Sequence, residues 1–150
     1  MKKFAIGGLA LAAVVAVAMS AGGGGEAAAC AEAPATLQQA IAEGLTLEGG
    51  GGLRNAYVAE AGIGQDFRGV ESPVYLVSAE IVGPGFEGEV GTWIVTRSLE
   101  DAGLIVAADP LAQEFSTWGE AAEEGSPVDA WRDRIAEDDT AAATRECAGP

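Results

Sequence analysis

The chain contains no histidine, and its only lysines are Lys2 and Lys3. Without histidine, Ser-His-Asp and Cys-His nucleophile constellations and histidine metal sites are excluded. Without lysine beyond position 3, Schiff-base chemistry and Ser-Lys dyads are excluded as well. Aromatics make up only 6% of the chain, so the core is small and Trp93, Trp118 and Trp131 should matter to it. Positive charge is scarce: 8 basic residues stand against 23 acidic ones, a net charge of −15. Such a surface repels phosphate, which argues against nucleic acid and against anionic lipid headgroups as partners. It favours an unidentified protein or a cationic ligand, or simply serves solubility.

The 150 residues divide at the N-terminus. Residues 1–29 have the pattern of a signal peptide with a Gly/Ala-rich leader: Lys2 and Lys3, then an uncharged run over 4–19, then small residues at Ala16 and Ala18. Removing this leader takes two lysines and one acid (Glu26) from the count, which leaves six arginines against 22 acids and a net charge of −16. Residues 30–150 form a single exported domain, secreted or attached to the cell envelope, long enough to bury a core without a metal.

Cys30 and Cys147 are the only cysteines. Two readings of Cys30 compete. The alanines before it suit a lipoprotein cysteine, acylated after cleavage, and with the signal itself that is the one route to a membrane. An even cysteine count in an exported chain suits a Cys30–Cys147 disulfide, which is the preferred reading.

The strongest strand signal is residues 74–96, VYLVSAEIVGPGFEGEVGTWIVT. Tyr75, Val77, Ala79 and Ile81 alternate like the core face of a strand, and Trp93 and Val95 repeat the spacing. The intervening GPGFEGEVG is too rich in Gly and Pro for regular structure. At this tip Phe86, Glu87 and Glu89 offer an apolar side chain with two carboxylates. They are the candidate binding residues; the plainer alternative is a solvated turn whose Phe86 folds back on the sheet. Two carboxylates do not meet the ligand pattern of an EF-hand, so no metal is assigned.

Around the hairpin, residues 34–44 predict a helix with a Thr36-x-x-Gln39 capping box and Gly44 as its stop. Its inner stripe is Leu37, Ala40, Ile41 and Leu45. The glycine-rich 48–52 is a flexible connector, since no Lys-Ser or Lys-Thr follows to make a phosphate loop. Residues 53–60 predict a strand, 61–73 a loop and 103–107 a short strand. Asp109-Pro110 starts a helix with Leu111, Phe115 and Trp118 on one face. Ser126-Pro127 and Asp129 start another, carrying Val128, Trp131 and Ile135. The acidic run 137–139 falls at its end, where acids oppose the helix dipole, and 141–150 reads as irregular.

The sequences VSAEIVGPGFEGEVGTWIVT and GLIVAADPLAQEFSTWG resemble a group of uncharacterised small exported proteins from high-GC Gram-positive bacteria. The resemblance spans about residues 74–119. It implies export and a common α+β domain. The group has no assigned activity, so no functional residue carries over.

The expected fold is α+β: a small antiparallel sheet of about four strands with three helices packed on it, two of them sharing one face. The expected function is an exported binding or interaction module, with no catalytic residue and no cofactor assigned. Its alternatives are a carboxylate-based hydrolase and a weakly Ca2+-dependent envelope protein.

Overall fold

The computed structural model describes residues 29–61, 72–122, 124 and 129–149. Residues 62–71 of the expected loop, and the Ser126-Pro127 cap, lie outside the described residues. The fold is α+β, built on one five-stranded antiparallel sheet in the order β1-β2-β3-β4-β5. The strands are β1 (Ala31–Glu32), β2 (Gly52–Glu60), β3 (Val74–Gly83), β4 (Phe86–Thr96) and β5 (Ile105–Ala107). The helices are α1 (Ala35–Glu43), α2 (Pro110–Glu114), α3 (Asp129–Ala136) and α4 (Asp139–Ala148), with a 3-10 turn at Thr117–Ala122. No helix among the described residues is long and apolar enough to cross a membrane.

The sheet is a meander, because each strand pairs with its sequence neighbour. In the central pair, Val77 faces Trp93 and Ser78 faces Thr92. Side chains alternate faces along a strand, so these two rows point to opposite sides. On one side Val58, Val77, Ala79, Ile81, Trp93 and Val95 pack with Leu37 and Ile41 of α1 and Ala112 of α2. On the other, Leu76, Ile94 and Val106 pack with Ile135 of α3 and Ala141 of α4. Helices therefore cover both faces, not one. The reason is in β3: Leu76, Val77, Ser78, Ala79, Glu80 and Ile81 are all buried, so the strand needs cover on each side.

Local chemistry sets the element ends. Pro34 caps α1, and its carbonyl accepts from the N–H groups of Leu37 and Gln38. The helix thus begins at Ala35, which puts Thr36 inside the first turn and leaves the expected capping box unformed. Asp109 caps α2, its Oδ1 accepting from Ala112 N at 2.8 Å. The helix expected to carry Leu111, Phe115 and Trp118 on one face breaks at Phe115, and the chain resumes as the 3-10 turn. There the chain pairs with the α1–β2 connector: Thr46 N donates to Phe115 O and Thr117 N to Gly44 O. Strand β4 begins at Phe86, earlier than its glycines suggest, with Gly88 at φ 86°.

The C-terminal segment is helical, not irregular. Asp138 caps α4 by accepting from Thr140 N at 2.8 Å. The acidic residues 138 and 139 therefore meet the positive N-terminal end of a new helix, where the dipole favours them. Cys30 and Cys147 form a disulfide with Cα atoms 6.6 Å apart, within the ordinary span of such a bond. Of the two readings of Cys30, this is the one the structure shows. It staples α4 to the stretch entering β1.

Candidate functional site

Strand β1 is short. It pairs with β2 only through Ala31–Val58 and Glu32–Tyr57, and the ladder continues as one bond from Ala33 N to Ala56 O. Toward its start, β2 has no strand on its outer side among the described residues. At that point it also bulges: the register with β3 slips between Arg54 and Tyr57. Asn55 sits in the bulge at φ 51°, a left-handed conformation that asparagine tolerates better than most residues. The extra residue interrupts the ladder, and a notch lies beside it.

The notch has a volume of about 170 Å³ and is lined by Glu32, Gln38, Asn55, Ala56 and Tyr57. That is smaller than a typical drug-sized ligand site of roughly 300–1,000 Å³, and suits the end of a side chain. Each wall has a distinct origin. Glu32 and Tyr57 are cross-strand partners. Gln38 stands in the first turn of α1 and donates from Nε2 to Ala33 O at 2.7 Å. Asn55 donates from Nδ2 to Glu80 Oε2 at 3.2 Å.

Glu80 anchors the Asn55 side chain. It is the one buried acid among the described residues. Arg54 grips its carboxylate with Nη2 to Oε1 and with Nε to Oε2 at 2.9 Å. Asn55 from the same strand adds a third hydrogen bond. One β3 side chain thereby ties β3 to both residues at the start of the β2 bulge. The Arg54 hydrogen bond pulls the Glu80 carboxyl below its ordinary value. Burial opposes this, while Arg54's charge, Asn55 and Gly88 reinforce it. A general acid needs the reverse shift, so Glu80 acts as a clasp rather than a proton donor.

A second polar array lies under α4. Ser78, Thr92 and Thr144 are fully buried. Ser78 Oγ is 3.0 Å from Thr92 Oγ1 and 2.9 Å from Thr144 Oγ1. Arg145 Nε donates to Thr92 Oγ1 at 3.0 Å, and Thr144 Oγ1 donates to Ala141 O at 3.1 Å. Those two ends fix the direction of every proton: Arg145 to Thr92, Thr92 to Ser78, Ser78 to Thr144, Thr144 to Ala141. All three hydroxyls both donate and accept, and no buried side-chain polar atom among the described residues lacks a partner.

The structure separates the hairpin-tip residues from the notch. Phe86 is partly buried, with its ring centroid 4.6 Å from that of Phe115 and the planes inclined at 57°. Glu89 is exposed on β4. The side chain of Glu87 lies outside the described residues. Among the described residues no three acidic or cysteine side chains converge as metal ligands. Sequence reasoning did not single out Glu32, Gln38 or Asn55 for function. One local signal for the notch was present: an asparagine, poor in strands and tolerant of positive φ, inside the strand-like LRNAYVAE. No family model, no curated protein and no solved structure matches the chain.

Proposed function

We propose that the chain is an exported binding module, with the notch between β1, α1 and the β2 bulge as its ligand site. The observation that carries this reading is the bulge itself. A strand residue at positive φ is strained, and Glu80, itself gripped by Arg54, holds it there. Sheets tend to bulge where a side chain must be re-aimed. Export is supported by the leader-like residues 1–29 and by the disulfide, which persists in oxidising compartments. The excess of acids favours a cationic or basic partner outside the cell.

The test is a chemical-shift screen of the 15N-labelled exported protein against amino acids, sugars and short peptides. Perturbations centred on residues 32, 38 and 55–57 support the reading. A ligand that perturbs a different surface and leaves these residues still overturns it.

A further inference from the structure

We infer that the notch takes a cationic side-chain head, a guanidinium or an ammonium group, from a peptide or a small molecule. The inference rests on the notch being the ligand site and adds the chemistry of what enters it. It follows from which groups are already committed. An amide side chain offers N–H donors on one side and a carbonyl acceptor on the other. Gln38 meets the carbonyl of Ala33, and Asn55 meets the carboxylate of Glu80. Both of those partners accept and cannot donate, so each amide must turn its nitrogen toward them. Their carbonyl oxygens are then directed away from those contacts, on residues that line the notch.

The remaining polar residues lining the notch are Glu32, whose carboxylate only accepts, and Tyr57, whose hydroxyl does either. A site richer in acceptors than donors calls for a ligand that brings N–H groups. The carboxylate makes a positively charged one the best match. The volume of about 170 Å³ admits a planar guanidinium or an ammonium with a short stem. One feature opposes this: Gln38 lies in the first turn of α1, whose dipole is positive at that end. An anionic probe is therefore the decisive control.

The experiment titrates the labelled exported protein with three blocked amino acids: N-acetylarginine, N-acetylleucine and N-acetylglutamate methylamides. The expected result is saturable binding of the arginine derivative at residues 32, 38 and 55–57. Glu32→Gln should weaken it about tenfold or more, as loss of a charge-assisted bond does. Glu114→Gln, which removes the same charge from an exposed site on α2, should leave it unchanged. Asn55→Gly keeps the left-handed backbone, removes one acceptor and should also weaken binding. Equal losses in Glu32→Gln and Glu114→Gln would reduce the effect to general charge attraction and overturn the inference. Binding of the glutamate or leucine derivative in place of arginine would overturn the cation assignment and leave the site standing. No perturbation at the notch from any of the three would remove the inference, and a null from the wider screen as well would remove the site.

Discussion

The indole of Trp118 occupies the space that a side chain at position 44 would need. A Cβ built on Gly44 would lie 2.2 Å from Trp118 Nε1 and 2.4 Å from its Cε2. The same nitrogen donates to Ile41 O at 3.0 Å, so the ring closes the last turn of α1. Gly44 itself is in the right-handed region at φ −88°. Glycine is needed there for room, not for backbone freedom.

Gly44→Ala should therefore cost about 1–3 kcal/mol, the usual range for overpacking a filled site. The melting temperature should fall by several degrees in a thermal scan. The clash has one partner, so the effect should shrink in a Trp118→Ala background. A double-mutant cycle that came out additive would place the strain elsewhere.

The Glu80 clasp predicts a specific response to acid. Its carboxyl titrates below the ordinary value of 4.5 in the folded state. Its stabilising effect is thus complete above the unfolded value and is lost as pH falls through the lower folded one. Glu80→Gln should flatten the part of the stability–pH curve that lies below about pH 4.5. Thermal midpoints of both proteins, taken from about pH 6 to about pH 3, read this directly. Parallel curves would show that Arg54 does not favour the charged form. Because Asn55 leans on the same carboxylate, the variant should also loosen the notch.

The hydroxyl chain under α4 predicts an unusual order of mutational costs. Ser78→Ala leaves the buried Thr92 hydroxyl without an acceptor and takes from Thr144 its donor. That should cost about 1–3 kcal/mol. Replacing all three, as Ser78→Ala with Thr92→Val and Thr144→Val, removes every partner at once. The triple variant should then be less destabilised than three such penalties summed, since no orphan remains. Arg145, which is 39% exposed in its side chain, can hydrate instead. Urea unfolding of the single and triple variants settles the order.

How far the sequence disclosed this architecture depends on the kind of signal each element carries. The hairpin was legible because VYLV and WIVT are strand-like runs on either side of a turn. The same run held evidence for two covered faces: Val74 and Leu76 on one side and Val77, Ala79 and Ile81 on the other leave little room for a wet side. Helix α4 was not legible from hydrophobic periodicity. Its buried positions are Thr140, Ala141, Thr144 and Ala148, which make no apolar stripe. It docks by hydroxyls, by close approach of small side chains and by a disulfide, none of which has a period. The notch was hidden for another reason. Glu32, Gln38 and Asn55 come from three elements, joined by sheet pairing, a bulge and the hydrogen bond from Gln38 to Ala33 O.

That composition of α4 makes the disulfide the decisive contact at the C-terminus. Two threonines and two alanines bury little apolar surface, so burial alone grips the helix weakly. The Cys30–Cys147 bond spans 117 positions, and closing so long a loop stabilises by about 4–5 kcal/mol in the chain-entropy model. Changing both cysteines to serine should cost up to that amount in urea unfolding. The loss should begin at the stapled ends. Hydrogen exchange should rise first in residues 29–33 and 139–148, where β1 has two residues of pairing and α4 has its small-residue face. Glu32 is part of that fraying stretch, so binding at the notch should weaken together with the exchange protection. If α4 keeps its protection without the disulfide, then the chain from Arg145 through Thr92 and Ser78 to Thr144 holds the helix by itself. The staple would in that case act on β1 alone.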